Sequence, residues 1–349
     1  MRWSVLALWA CSVPALMAQG TMSKEEVRVR KLLANNKPYK AITRCDHMLL
    51  EGRVHPEFFV LRADALNRIG QAAKAEPDAR AALQHAPASA EALLQLAVAE
   101  QGQGRYDSAD VHFRKVLAQG PSADVRYRLA VNHRLARRCP QAVEELDEAL
   151  KAGPGDAAGS ARILRVKGEC LAEMGDSTAA RAALNAAVAA DPKDPVNYNS
   201  RGYYGHAFFG DHLGAIADYD RAIKINPNYS YAFNNRGWSW YKLGQKDKAL
   251  KDIGRAKNKK VFNPYVYRNL GVIALESGDT AKACMEFRRA LDYDFTALFG
   301  REVEELMAAH CQGEQNTAAP VQAPNAPMDR NAPKAPNAPD KPAPRTNAP

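Results

Sequence analysis

Along most of the chain, small and apolar residues return every three to four positions, the period of a helix with one buried face. The periodic stretches are about a dozen residues long and come in pairs. One alanine column sets the frame: Ala41, Ala75, Ala109, Ala142, Ala180, Ala215, Ala249 and Ala283, at intervals of 34, 34, 33, 38, 35, 34 and 34 residues. A second small column precedes it by twelve residues, at Val29, Ala63, Ala97, Ala130, Gly168, Gly237 and Gly271, and by thirteen at Gly202. A third follows by seven, from Met48 to Ala290. Gly70, Gly104, Gly175, Gly210, Gly244 and Gly278 punctuate the units, and Pro87, Pro121, Pro154, Pro192 and Pro227 close five of them.

Each unit therefore predicts two antiparallel amphipathic helices joined by a short glycine turn. Small columns let the backbones approach, and large residues such as Phe113, Leu146, Leu184, Ile253 and Phe287 fill the gap between units. A unit of this size cannot bury its apolar face alone, so the units must stack and the ends need covers. Residues 299–311, FGREVEELMAAHC, read as a final capping helix, charged outside. The expected fold is all-α: sixteen repeat helices and a cap, with no strand.

The pattern resembles the tetratricopeptide repeat family over residues 22–311. The segments NYSYAFNNRGWSWYKLGQKDKALKDIGRA and NPYVYRNLGVIALESGDTAKACMEFRRALDYD carry it most clearly. Eight repeats are counted; the first is the most degenerate, with Asn36 where glycine is usual. The resemblance implies a right-handed α-solenoid whose concave groove holds a protein or peptide partner, without catalysis. Two irregularities break the period. GPGDAAGS, residues 153–160, adds four residues between the fourth and fifth repeats, either as a longer turn or as a hinge between two halves. One extra residue in GYYGHAFFG, between Gly202 and Gly210, predicts either a longer turn or a π-bulge.

The two ends depart from the pattern. Residues 1–18, MRWSVLALWACSVPALMA, have one early Arg and then an apolar run too short to span a bilayer. They read as a secretory signal peptide, so the expected location is periplasmic or extracellular, with no integral membrane segment after cleavage. Residues 312–349 hold nine prolines within a Pro/Ala/Asn-rich tail and are expected to be disordered.

The resemblance also places one helical stripe of each repeat in the groove. In the seventh repeat, Phe233, Gly237 and Trp240 follow the core spacing, which puts Trp240 inside. Trp238 lies about 100° round the helix, and Tyr241 about 40° in the same sense. Tyr231 and Asn234 share that stripe. Neighbouring repeats add Arg162 and Arg165, Asn199 and Tyr203, and Tyr265 and Arg268. This surface suits an extended backbone, a flat apolar group and a negative charge. The other reading is an inter-repeat packing cluster. A carboxylate clamp using Asn235, Asn269 and Arg165 is a partial match at best, since Glu169 stands where the clamp prefers Asn.

Composition narrows the function further. The chain has 349 residues, 46% of them hydrophobic, and a formal net charge of +9 spread along its length. A diffuse excess of this kind reads as solvated surface, so no nucleic-acid partner is expected. Catalytic and phosphate-binding motifs and metal-spaced Cys/His clusters are missing, so neither enzyme activity, nor a metal, nor a cofactor is expected. A polysaccharide or peptidoglycan ligand held by the groove aromatics is the alternative to a peptide. Beyond the signal segment the cysteines are Cys45, Cys139, Cys170, Cys284 and Cys311. Matching heights on antiparallel helices pair Cys139 with Cys170. Cys284 and Cys311 fall about three residues out of step, and Cys45 should be a buried free thiol.

Overall fold

The computed structural model describes residues 23–51, 55–259, 263–293, 295–296 and 300–311. The signal-like segment 1–18 and the tail 312–349 lie outside them. The described residues form eight helix pairs and a terminal helix, with no strand among them. The pairs are α1 (Lys24–Ala34) with α2 (Pro38–Leu50), α3 (Pro56–Arg68) with α4 (Ala72–His85), α5 (Ala90–Gly102) with α6 (Tyr106–Leu117), and α7 (Ala123–Leu135) with α8 (Cys139–Lys151). Then come α9 (Ala157–Glu173) with α10 (Ser177–Ala190), α11 (Pro195–Ser200) with α12 (His212–Ile225), α13 (Ser230–Lys242) with α14 (Lys246–Lys257), and α15 (Tyr265–Glu276) with α16 (Thr280–Asp292). The cap, α17, is Glu302–His310, shorter than the 299–311 expected.

Local chemistry fixes the helix boundaries. Ser89, Ser122, Asp156, Asp176, Asp194, Asp211 and Asp279 cap helix starts by accepting a hydrogen bond from a backbone amide two or three residues on. The turns within pairs need one left-handed residue. Asn36 supplies it in the first repeat with φ 52°, and Arg137 in the fourth with φ 61°.

The small and large columns meet as the pattern requires. A Cβ on Gly271 would stand 2.4 Å from the Phe287 ring, and one on Gly237 would stand 2.7 Å from Ile253 Cγ1. Phe287 and Ile253 are fully buried, each contributing roughly 1.5–3 kcal/mol through its removal from water. A second device repeats alongside and was not read from the sequence. The arginine just before the small column forks onto an aspartate three residues after the alanine column. Arg62 Nε and Nη2 both lie 2.7 Å from Asp78; Arg201 grips Asp218 at 2.8 and 2.5 Å, and Arg236 grips Asp252 at 2.6 and 2.8 Å. The fork ties the two helices of a repeat together with the geometry that guanidinium and carboxylate share.

Both irregularities are resolved. The insertion at 153–160 gives a turn with Gly153 at φ 82° and Gly155 at φ 83°, then the first turn of α9, capped by Asp156. It is a longer turn feeding a longer helix. The extra residue after Gly202 becomes a π-helical segment, Arg201–His206, followed by a 3₁₀ turn at Ala207–Phe209. Within this segment the Gly205 carbonyl accepts a 2.8 Å hydrogen bond from Arg181 Nε on α10. Tyr204 is turned fully inward.

The cysteine pairing differs from expectation. Cys284 and Cys311 form the disulfide, with Cα atoms 5.7 Å apart. Helical register assumed a cap over 299–311; the helix is Glu302–His310, with Cys311 as its C-cap. Cys139 and Cys170 are two buried thiols in one apolar cluster. They lie together without a disulfide, and the Cys139 thiol donates to Glu173 Oε2 at 3.1 Å. Cys45 is fully buried and free, as expected.

Candidate binding groove

The ten residues expected in the groove divide by burial. Arg165, Asn199, Tyr231, Asn234, Tyr265 and Arg268 are buried; Tyr203, Trp238 and Tyr241 are half-buried, and Arg162 is exposed. Four of the buried members, Arg165, Asn199, Asn234 and Arg268, belong to two side-chain networks.

One network is an amide ladder. Arg268 Nη1 donates to Asn269 Oδ1 at 3.0 Å, and Asn269 Nδ2 to Asn234 Oδ1 at 3.1 Å. Asn234 Nδ2 donates to Asn235 Oδ1 at 3.4 Å, and Asn235 Nδ2 to Asn199 Oδ1 at 3.1 Å. The ladder runs from α15 through α13 to α11, linking repeats eight, seven and six. Asn235 and Asn269 are therefore rungs between repeats.

The other network is ionic and centres on Glu169, which is fully buried. Arg134 lies 2.8 Å from both Glu169 and Glu173; Arg165 Nη1 donates to Glu169 Oε1 at 2.9 Å, and Ser200 Oγ donates to the same oxygen at 2.8 Å. Tyr204 accepts from Arg134 Nη2 at 2.5 Å and reaches Glu173 at 3.4 Å. Two guanidinium groups face two carboxylates, so the cluster is balanced. Burial opposes the charge on Arg134 and Arg165, but the facing carboxylates outweigh it and both pKa values are raised. Burial likewise pushes the Tyr203, Tyr204 and Tyr265 hydroxyls up.

The basic groove expected from sequence is thus neutralised at two points. Arg165 is committed to Glu169, and Arg268 to Glu302 of the cap, with Arg268 Nε 3.1 Å from its carboxylate. What remains open is an aromatic strip edged by cations. Trp238 packs 5.5 Å from Tyr241, with Arg268 4.8 Å and Lys242 5.1 Å from its ring. Tyr241 donates to Glu276 at 2.5 Å. Arg162 lies 4.9 Å from the Tyr127 ring in the fourth repeat. Tyr203 sits edge-on to Tyr204, with ring centres 5.0 Å apart. His206 is held away from this strip by Asp211, 2.7 Å from its Nδ1.

Trp240 is not in the core. It is half-buried, and Lys248 of α14 sits 4.4 Å from its ring centre. A helical wheel gives the direction in which Trp240 points; it does not show that the facing residue on α14 is a lysine.

No group of three His, Cys, Asp or Glu side chains among the described residues is placed to hold a metal ion, and no described helix is long and apolar enough to cross a membrane. The exposed groups can grip a flat or charged ligand.

The model of the tetratricopeptide repeat family matches residues 94–157, 127–195 and 206–260. The small glutamine-rich tetratricopeptide repeat-containing protein 2 of Mycosarcoma maydis is 30% identical over 84 residues, 24% of each chain. The match therefore spans about a quarter of that relative. A solved tetratricopeptide repeat protein from Parabacteroides merdae superposes with a TM-score of 0.60 at 15% identity, over 74% of this chain and 99% of that one. The Cut9–Hcn1 hetero-tetramer of the APC/C gives 0.56 at 14% identity, over 82% of this chain and 55% of that one. PilW, a type IV pilus biogenesis factor, gives 0.51 at 20% identity, over 57% and 91%. At these identities the solved structures speak for the fold alone.

Proposed function

The chain is built of tetratricopeptide repeats, and from that premise we propose that it is an exported, non-catalytic scaffold that holds a protein partner along the concave side of repeats five to eight. The observation that carries this reading is the set of half-buried aromatics Tyr203, Trp238 and Tyr241, with Lys242 over the Trp238 ring, beside a buried amide ladder and buried ion pairs. Side chains held to one another by the ladder and the ion pairs are already ordered, which lowers the cost of organising them for a partner. Aromatic side chains beside them give large contact area with little loss of rotamer freedom. The export reading rests on residues 1–18.

The test is capture from a cell-envelope extract by the intact chain and by Trp238→Ala, alongside a glycan array. A partner protein retained by the wild type and lost by the variant is expected. Trp238-dependent binding to glycans instead would move the function to polysaccharide recognition, and capture unchanged by the substitution would move the site off this strip.

A further inference from the structure

Glu302 occupies the position of a ligand. Arg268 is arranged as a receptor for one carboxylate. Its guanidinium lies 4.8 Å from the Trp238 ring, and its Nη1 is fixed on Asn269 at the head of the amide ladder. Its remaining edge, Nε and Nη2, faces outward from these two supports. The Tyr203 and Tyr265 hydroxyls lie within electrostatic reach of both Arg268 and Glu302. The group on that edge is the Glu302 carboxylate, which accepts from both Nε and Nη2. Arg268 keeps only 9% of its side chain exposed, whereas Glu302 keeps 24%. The receptor is set into the wall, and its occupant comes from the solvent side.

That occupant starts its helix, beside the fully buried Val303 and two residues before Glu304, which accepts from Thr296 Oγ1 at 3.0 Å. Glu302 is the first residue of α17, whose start has no side-chain cap and follows Gly300 at φ 98°. The opposite end is tied down by the Cys284–Cys311 disulfide, with Val303, Leu306 and Met307 packed on the eighth repeat between. The helix is anchored where it ends and uncapped where it begins.

We propose that Glu302 is a built-in competitor for Arg268, and that the partner is a protein segment presenting an acidic side chain, which takes the same guanidinium edge by lifting the start of α17. This rests on the groove reading above and specifies its partner chemistry. A segment lying along the strip would set an apolar or flat group on Trp238 and its carboxylate on Arg268. A free carboxylate gains little over Glu302 at this one contact, so the exchange selects for ligands that also engage Trp238.

The experiment uses the intact chain and an array of nine-residue peptides, each with one Glu among varied neutral and apolar residues, and each paired with a Gln twin. Glu302→Gln keeps the size of the side chain and removes its charge. It should bind Glu peptides at least tenfold tighter than the wild type, with the Gln twins unchanged. Arg268→Gln should abolish the preference for Glu over Gln. Cys284→Ala with Cys311→Ala, which frees the anchored end, should also raise affinity for Glu peptides, and melting curves report whether each variant stays folded. Hydrogen exchange of residues 302–310 in the wild type should rise when a Glu peptide binds. If Glu302→Gln gains nothing, or gains equally for the Gln twins, while Trp238→Ala still weakens peptide binding, the competitor is ruled out and the groove stands. If no peptide binding depends on Trp238, the groove reading falls with it.

Discussion

Cys45 and Glu76 show burial acting on single groups with opposite outcomes. Burial pushes the Cys45 thiol up to about 12, so it should resist alkylation at pH 8 in the folded chain and react once the chain unfolds. Mass spectrometry after iodoacetamide treatment reads this directly, and rapid labelling of the folded chain would contradict it. At Glu76, burial also works against the charge, but hydrogen bonds from Gln103, Arg105 and Arg80 outweigh it and bring the carboxyl down to about 2. A depressed carboxyl contributes stability that is complete above its unfolded value of about 4.3 and is lost as pH falls toward about 2. Urea midpoints between pH 4.5 and 2.5 should fall more steeply for the wild type than for Glu76→Gln, and parallel slopes would mean that the three donors do not hold the carboxylate. The two tryptophans give a third contrast. Neither is fully buried, so Trp238→Ala and Trp240→Ala should each cost less than the roughly 3–5 kcal/mol of a core aromatic. Partner binding should follow Trp238 alone.

At the scale of elements, glycine has two meanings in this array. Gly271→Ala drives a Cβ into Phe287 and should cost about 1–3 kcal/mol through repacking. Gly254→Ala meets nothing within 4 Å inside α14 and should stabilise the chain by about 0.5–1 kcal/mol. Calorimetry on the two variants should move the melting temperature in opposite directions. The first of these was legible in the sequence, because Gly271 falls in the small column and Phe287 in the large one. The helix pairs, the glycine turns and the position of the extra residue after Gly202 were legible for the same reason: all are local or repeat-periodic. The choice of a π-helical segment over a longer turn was not, because both absorb one residue. Nor was the fate of the groove arginines. Arg134 meets Glu169, and Arg268 meets Glu302, across one repeat, where neither partner is a neighbour within its own helix. Helical spacing assigned Arg165 and Arg268 to the groove and gave no account of the carboxylates that face them.

At the scale of the molecule, the disulfide closes the C-terminal end of the array. Cys284 and Cys311 are separated by 27 residues. In the chain-entropy account, closing a loop of that length contributes roughly 3–4 kcal/mol. Reduction should lower the urea midpoint of the last repeat and cap first, read by the fluorescence of Trp238, which packs against Arg268 of the eighth repeat, while far-UV circular dichroism stays dominated by helix until the main transition. An unchanged midpoint under reduction would show that α17 is held by its packing alone.

Arg134 has a consequence for how the array comes apart. Stacked repeats are commonly treated as links that know only their immediate neighbours, so that each can be removed at its own cost. Arg134 belongs to the fourth repeat, bonds Glu169 and Glu173 in the fifth, and reaches Tyr204 in the sixth, 70 residues away. Three links therefore share one fastening. Pulled from its two ends in an optical trap, the chain should not shed these units one at a time. Repeats four to six should give way in a single rip of about a hundred residues, and Arg134→Leu with Glu169→Leu should split that rip into smaller steps.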